Sequence, residues 1–155
     1  MLGETKKHTR LTYNLLAVLL IIMAGASWIL NIGWLRLIMT FLGVPLLHAV
    51  AFVFICNFSL TYADKSAKLK KYVVFSFVTY LLGYLLLPDA GDRGPMYMLF
   101  GLIRSDTAAH IFISLSSASF IANIILLILQ IAERNRIKKE ISKSFPYPPE
   151  NIGPA

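Results

Sequence analysis

Long apolar runs separated by short polar segments dominate the pattern of this chain. A helix that crosses the hydrocarbon core of a bilayer needs about 20 consecutive, mostly apolar residues. Four segments approach or exceed that length, and we interpret them as membrane spans: residues 11–32, 35–62, 69–87 and 107–132. Each is predicted to be an α-helix, because backbone amides in lipid must be hydrogen-bonded within their own segment. None of the four alternates polar and apolar residues as the strands of a membrane barrel do.

The segments between these runs predict how the spans are connected. Residues 31–34 predict a tight turn after the first span, and residues 63–71 join the second span to the third. The long loop at 88–106 contains an apolar stretch, 96–103, that is too short to cross and is expected to lie at the interface or to re-enter the membrane. Within the second span, Pro45 predicts a kink near residues 41–43, because proline removes a backbone donor and clashes with the preceding turn.

The distribution of lysine and arginine predicts the orientation of the spans. Twelve of the 15 basic residues lie in the N-terminal segment, in the second connection and in the C-terminal tail, whereas the other side has only Arg36, Arg93 and Arg104. Cytoplasmic loops carry the excess of basic residues in membrane proteins. The sequence therefore predicts an all-α integral membrane protein, an antiparallel up-down bundle of four transmembrane helices in the plasma membrane with both termini in the cytoplasm.

This orientation divides the chain into three parts. Residues 1–10 form a basic cytoplasmic N-terminus, residues 11–132 the transmembrane domain, and residues 133–155 a cytoplasmic tail. The first half of the tail is basic and can extend the fourth helix, whereas Phe145–Pro149 favours polyproline II and a solvated tail. The first apolar run also imitates a cleaved signal peptide. We favour an uncleaved span, because the run continues to Ile32.

Composition supports the membrane interpretation and excludes several classes of function. The chain of 155 residues is 57% apolar and 15% charged, whereas soluble domains are about 45–50% apolar and about 25% charged. The net charge of +7 is explained by topology, with the lipid bilayer rather than nucleic acid as the partner. Cys56 is the single cysteine, and no histidine lies at metal-ligand spacing, so neither a metal nor a cofactor is predicted.

His48 is an ionisable residue near the middle of the second predicted span, three residues after Pro45. A titratable side chain inside a membrane is a candidate functional site, because its burial costs energy. We consider two interpretations of His48. It is either a neutral side chain that hydrogen-bonds another helix, or a proton or ligand site at the middle of the membrane.

A charged cluster precedes and begins the fourth span on the predicted outer side. Asp106 and His110 are four residues apart, so they share a helix face and can pair, and Arg104 lies just upstream. A carboxylate beside an imidazole can perform acid–base chemistry, with Arg104 or Arg93 binding an anionic headgroup. The alternative is a helix cap at Asp106 or Thr107 together with a surface ion pair.

The fourth span carries small and polar residues on two faces. One face holds a row at four-residue spacing, namely Ser114, Ala118 and Ala122. Another holds the polar residues Ser116, Ser119, Asn123 and Gln130. We expect the second set to face a matching stripe on the third span: Tyr72, Ser76, Thr79 and Gly83. Small residues let helices approach closely and polar ones hydrogen-bond between helices. Either the fourth helix is therefore central in the bundle, or a partner membrane protein or a second copy covers its remaining face.

These features leave three functions open. The favoured one, since no catalytic set is found, is a non-enzymatic subunit, regulator or immunity-type protein that acts through helix–helix contacts. The second is a small oligomeric transporter or channel with His48 at the midplane. The third is an intramembrane enzyme with Asp106 and His110 at the outer surface. Four-span folds host unrelated functions, so the fold alone does not choose among the three.

Overall fold

The computed structural model describes residues 2–30, 33–89, 96–100 and 102–144, with the backbone alone for residues 2–10 and for Tyr97. This part of the chain is mostly helical, which confirms the predicted all-α class. Its helices are α1 (Leu2–Leu30), α2 (Trp34–Phe41), α3 (Val44–Leu60), α4 (Ala67–Leu86) and α5 (Asp106–Ser144). A 3₁₀ turn at Ala63–Lys65 follows α3, and the short antiparallel strands β1 (Tyr97–Met98) and β2 (Ile103–Arg104) precede α5.

Three of these helices are long and apolar enough to cross a membrane. The qualifying segments are Leu11–Leu30 in α1, Ala67–Leu86 in α4 and Asp106–Ser144 in α5. Helices α2 and α3 pass the same test only as a pair, and their axes differ by 66°. The described residues therefore hold three candidate spans, or four if the bent pair counts as one.

The second predicted span, 35–62, is divided into two helices at the place where Pro45 predicts a kink. Its helix breaks at Leu42 and Gly43, and Gly43 has φ +69°, a left-handed conformation that glycine adopts without steric cost. Pro45 lies in the first turn of α3. There it has no N–H to donate to the Phe41 carbonyl, and its ring obstructs a helix that continues through this point. The kink predicted from Pro45 is therefore a complete interruption of the helix, because Gly43, two residues earlier, permits a sharp turn.

Helix α4 packs against α1, α3 and α5, and most extensively against α5. Aromatic residues fill the space between α4 and the helices α1 and α3. Phe52 stacks on Tyr80 with ring centroids 4.2 Å apart, and Tyr13 meets the edge of Phe77 at 6.1 Å. Such offset and edge-to-face pairs are the favoured aromatic geometries, so they hold the three helices in a defined packing.

Helix α5 packs against α4 along a regular seam. Five of its six buried side chains recur every seven residues: Ala109, Ser116, Asn123, Gln130 and Ile137. The sixth is Leu127. A seven-residue repeat places these side chains on one slowly rotating stripe, as in left-handed coiled coils. Close approach is helped at Gly83, where an added Cβ would lie 3.2 Å from the Phe120 ring.

Many large apolar side chains are exposed, and several polar or charged side chains are fully buried. Arg36, Asn123 and Gln130 are fully buried, whereas Phe41 and Leu102 are 84% and 82% exposed. Charged residues are almost never fully buried in soluble domains, and large exposed apolar patches mark surfaces that contact protein or lipid. The fold therefore hides polar groups and presents apolar ones, as expected of helices surrounded by lipid.

The described part of the long loop closes one end of α4. Met98 pairs with Ile103 across the two short strands and is fully buried. The next residue, Leu99, donates its amide to the Leu85 carbonyl in the last turn of α4 at 3.4 Å. The apolar stretch 96–103 thus includes a small hairpin that packs on a helix end.

The Gly43→Ala substitution is expected to lower the free energy of unfolding by about 1–2 kcal/mol, the cost of a left-handed conformation for a residue with a Cβ. No atom lies within 4 Å of the added Cβ, so backbone strain is the whole effect. Gly43→Asn should cost less, since asparagine tolerates this conformation. Unfolding in mixed micelles measures both variants, and equal stability of all three proteins would contradict a left-handed hinge.

Candidate functional site

A buried ion pair lies where α1 and α4 end and α2 begins. Asp89, which follows α4, accepts hydrogen bonds from the backbone N–H groups of Gly33, Leu35 and Arg36 at 3.1, 3.3 and 2.8 Å. These amides form the N-terminus of α2, where a helix leaves N–H groups without intrahelical partners. The carboxylate therefore caps α2 from a distant part of the chain and faces the positive end of its dipole.

The Arg36 side chain binds the other two helix ends. Its guanidinium donates to the Ser27 carbonyl in the last turn of α1 and to the Leu87 carbonyl at the end of α4. Its Nε lies 4.0 Å from Asp89 Oδ2, and its guanidinium carbon lies 5.2 Å from the centre of the Trp28 ring. A cation is favoured at helix C-termini, because the carbonyl oxygens there carry the negative end of the dipole. One ion pair thus joins three helix ends.

His48 lies in a second polar cluster, which connects α3 to α4 and α5. Its Nδ1 is 3.0 Å from the Tyr84 hydroxyl, and its Nε2 is 2.9 Å from Asn123 Oδ1. The Asn123 amide nitrogen donates to the Ser76 carbonyl at 2.6 Å and to the Thr79 hydroxyl at 3.0 Å. A backbone carbonyl only accepts, so the Asn123 side-chain nitrogen must face Ser76 and its oxygen must face His48. His48 therefore donates from Nε2 to Asn123 Oδ1, and a neutral ring accepts at Nδ1 from the Tyr84 hydroxyl.

The direction of these hydrogen bonds decides what the His48 cluster can do. A proton relay needs members that accept a proton on one side and release one on the other. The Asn123 amide accepts at its oxygen, but its N–H protons do not leave under ordinary conditions, so the chain of transfer ends there. The geometry favours a neutral His48 that joins three helices over a proton path through the membrane.

Further hydrogen bonds join α4 to α5 on both sides of Asn123 along the α5 helix. Ser116 donates to the Gly83 carbonyl at 2.8 Å, and Gln130 donates to the Ser76 hydroxyl at 3.0 Å and to the Tyr72 carbonyl at 3.5 Å. The structure therefore places the polar face of α5 against the stripe on α4. Later residues of α5 contact earlier residues of α4, so these two helices are antiparallel.

The row of small residues on α5 lies outside that seam. Ser114 and Ala118 are exposed, and Ala122 and Ser119 are partly exposed. The Ser114 hydroxyl donates to the His110 carbonyl one turn earlier, at 3.1 Å. The residues of α5 that were predicted to pack therefore lie on two different faces of the helix. Ser116 and Asn123 contact α4, whereas Ser114 and Ala118 face away from the chain.

The structure does not form the predicted pair of Asp106 and His110. The Asp106 carboxylate accepts the Met96 amide at 3.2 Å, and no ion pair joins it to His110, although both residues are described. His110 is exposed, as is Arg104. The Asp106 carboxylate contacts the backbone of the segment that precedes α5, and an acid–base role for Asp106 and His110 stays a prediction.

The predicted cap of α5 also needs correction. The Ser105 hydroxyl accepts the Ala108 amide at 3.3 Å, so Ser105, rather than Asp106 or Thr107, caps the helix. Arg93, the other proposed headgroup ligand, and the Pro-rich segment 145–149 lie outside the described residues. The described part of the outer cluster therefore presents a helix cap and exposed charges but no assembled acid–base pair.

A laterally open groove of about 700 Å³ lies between the α2–α3 bend and α5. The bent pair contributes apolar residues to its wall: Leu35, Met39, Val44, Pro45 and Leu47. Helix α5 contributes Ile113, Ser117, Phe120 and Ile124. Trp28, His48, Tyr84 and Leu87 complete the lining. The groove therefore combines an apolar, aromatic wall with a few polar atoms, which is the usual character of a small-molecule site.

Arg36, Asp89 and Tyr84 were not among the residues predicted from the sequence to form a site. Arg36 carries a detectable signal, because it is a charged residue in the second apolar run, but it resembles an ordinary boundary residue. Asp89 and Tyr84 carry no sequence signal for these contacts, since their partners lie 36 to 56 residues away along the chain. Only the packing of the helices reveals them.

Comparisons with known proteins add no further constraint. No family model, curated protein or solved structure matches this chain. Within the described ranges, no group of three or more His, Cys, Asp or Glu side chains is placed to hold a metal ion. The function must therefore be argued from the two polar clusters, the exposed face of α5 and the groove.

Asp89→Ala is expected to lower the free energy of unfolding by about 3–5 kcal/mol, because it leaves a buried guanidinium without its counter-ion and helix amides without a cap. Asp89→Asn should cost less, since its amide oxygen still accepts a hydrogen bond. Arg36→Lys should also destabilise, because an ammonium lacks the planar fork that reaches two carbonyls. Unfolding in mixed micelles measures these variants, and an Asp89→Ala protein as stable as wild type would refute the role of the pair.

Glu133 generates a prediction about pH. The Ser66 hydroxyl donates to Glu133 at 2.7 Å, and this bond, together with Arg136, lowers the pKa of Glu133 from its ordinary value of 4.5. A lowered pKa in the folded state means that the carboxylate stabilises the fold above the unfolded pKa. That stabilisation is lost as the pH falls through the folded value.

The difference in unfolding free energy between wild type and Glu133→Gln should therefore be largest at neutral pH. It should shrink below about pH 4.5, where the unfolded chain takes up the proton. Glu140→Gln is the matched control, because Glu140 contacts the same Arg136 at 3.7 Å but is exposed. A difference that does not change with pH would argue against the Ser66 contact as the source of the stabilisation.

Proposed function

We propose that this chain is a small integral membrane protein with four spans, in which α2 and α3 form one bent span, and that both termini lie on the cytoplasmic side of the plasma membrane. The hydropathy of the helices supports this proposal, as do the many exposed apolar side chains and the concentration of basic residues in the N-terminal segment, the 63–71 connection and the tail. At 39 residues, α5 is about 58 Å long, nearly twice the thickness of the hydrocarbon core. Its basic C-terminal part would extend into the cytoplasm.

We further propose that the protein acts through helix–helix contacts, as a non-enzymatic subunit or regulator of a membrane complex. The observation that carries this proposal is the uncovered row of small residues on α5. At 100° per residue, Ala118 lies about 200° around the helix from Ser116, the seam residue that contacts α4. Exposed small residues at this depth allow the backbone of another helix to approach closely. A second helix is therefore the occupant that this face fits.

The other two functions receive less support from the geometry. Both ring nitrogens of His48 are engaged by neighbouring side chains, and the transfer path ends at an amide. The acid–base pair required for the enzymatic hypothesis is not formed between Asp106 and His110. The polar groups inside the spans thus serve helix packing, which leaves external helix contacts as the best-supported activity.

The proposal predicts that an Ala118→Ile substitution dissociates the complex. Mild detergent extracts of native membranes should contain the wild-type chain at a mass above that of the 17.4 kDa monomer. Ala118→Ile should shift it to the monomer, because the added side chain separates the two backbones. Val78→Ile is the control, since Val78 is a half-exposed residue of α4 that does not belong to the row. Native electrophoresis and mass spectrometry measure both variants.

A cysteine at the row distinguishes a second copy from a different partner. In a Cys56→Ala background, Ala118→Cys should form a disulfide-linked dimer in oxidised membranes if two copies meet at this face. A heterologous partner would instead give a larger complex without that dimer, and Ala118→Ile would still dissociate it. A chain that is monomeric in native extracts would refute the proposal, as would a complex that Ala118→Ile leaves intact.

A further inference from the structure

We propose that Arg134 and Lys138, together with the aromatic rings of α3 beside them, form a binding site for an anionic phospholipid. The phosphate group would lie between the two cations, and an acyl chain would lie along Phe54 and Phe58. The inference rests on the proposed membrane location of the chain, since a phospholipid meets this face only there. It does not depend on the helix–helix contact, because Arg134 lies 12 residues, or about 18 Å, beyond Ala122, the last residue of the row.

Helices α3 and α5 each contribute two residues one turn apart to this site. The Arg134 guanidinium carbon lies 5.9 Å from the centre of the Phe58 ring, and Lys138 Nζ lies 5.7 Å from the centre of the Tyr62 ring. Residues four apart are neighbours on a helix surface, with Cβ atoms about 5–6 Å apart. The two cation–ring contacts therefore hold both positive charges side by side where α5 meets α3, within reach of one phosphate group.

Neither cation has a counter-charge within the described part of the protein. No carboxylate there pairs with Arg134 or Lys138, and the hydrogen bond from Arg134 to Asn135 Oδ1 is long, at 3.4 Å. The Nε of Arg134 is buried and has no hydrogen-bond partner in the same part of the chain. Arg136 differs, because the Glu133 carboxylate lies 2.7 Å from it. Like charges four residues apart on a helix repel each other, so a bound anion would stabilise the pair.

Exposed aromatic rings continue from the two cations along α3. Phe54 and Phe58 are 58% and 54% exposed, and their ring centroids lie 6.2 Å apart. Phe54 lies eight residues before Tyr62, or about 12 Å away along the helix. Tyrosine is favoured at the headgroup level of a membrane, so the two phenylalanines lie at the depth of the acyl chains. A pair of cations above an apolar strip matches an amphiphile with a negative headgroup.

The charge of the surrounding surface selects the headgroup. Residues 61–71 and 132–144, all of them described, carry nine basic and three acidic side chains. Basic residues beside a membrane attract anionic lipids. An acidic peptide in solution would satisfy the cations but would not cover Phe54, which lies deeper. The charge and the apolar strip together therefore favour a phospholipid.

Native mass spectrometry of the full-length protein in detergent tests the site, because it resolves individual bound lipids. The protein is titrated with dioleoyl phosphatidylglycerol and, separately, with dioleoyl phosphatidylcholine, which has the same acyl chains and no net charge. We expect tighter binding of the anionic lipid. Arg134→Gln and Lys138→Gln should each weaken its apparent Kd by about 5-fold, and together by about 30-fold, the effects of one and of two cations near a membrane surface.

A charge-matched variant controls for the general attraction between a basic protein and an anionic lipid. Lys139→Gln combined with Lys143→Gln removes two exposed cations at the same four-residue spacing, about 140° around α5 from the proposed site. This variant should bind phosphatidylglycerol nearly as well as wild type. Arg134→Lys, which keeps the charge, should bind more tightly than Arg134→Gln. Circular dichroism of each variant confirms that its helices are intact.

Four outcomes would overturn the inference. Equal binding of the two lipids would remove the role of charge, and equal losses in the two double variants would show unspecific attraction. Competition by glycerol phosphate at the concentration of the lipid would show that the acyl chain makes no contact. Displacement of the lipid by a soluble polyglutamate peptide would assign the cations to an acidic protein partner.

Alkaline carbonate extraction of native membranes separates this inference from the proposed membrane location. A chain released into the supernatant would refute the membrane location and the lipid site with it. A chain that stays in the membrane pellet but shows no lipid preference would refute the lipid site alone.

Discussion

The ion pair between Arg36 and Asp89 is the constraint on which the shape of this protein depends. Buried helix ends have no water to satisfy their free amides and carbonyls, so each end needs a partner within the protein. The Asp89 carboxylate serves the N-terminus of α2, and the Arg36 guanidinium serves the last carbonyls of α1 and α4. The two opposite charges lie 4.0 Å apart at their nearest atoms, which offsets part of the cost of burying both.

This ion pair also determines where the groove can form. It anchors the start of α2, while Gly43 turns the chain by 66° into α3. The bent pair then presents Leu35 and Met39 from one side and Leu47 from the other, and the space between them and α5 stays open. A straight helix through residues 34–60 would present one continuous face to α5 and would leave no such angle.

Hydrogen bonds, rather than apolar packing alone, define how α4 and α5 meet. Lipid chains are as apolar as leucine, so burying apolar surface between helices yields little in a membrane. Ser116, Asn123 and Gln130 instead find carbonyl or hydroxyl acceptors on α4 at seven-residue intervals. A rotation of α5 would leave these groups unsatisfied among apolar side chains. The same requirement leaves the small residues Ser114 and Ala118 on the outside.

The amino-acid pattern alone was enough to predict the helical class, the apolar runs, a kink near residues 41–43 and the complementary stripes on the third and fourth runs. All of these follow from local composition and periodicity. Only the tertiary structure joined Arg36 to Asp89, 53 residues away, and left Asp106 apart from His110. The reason is physical: a helix that is apolar on every side does not reveal which face turns inward, so its rotation is decided by polar partners on other helices.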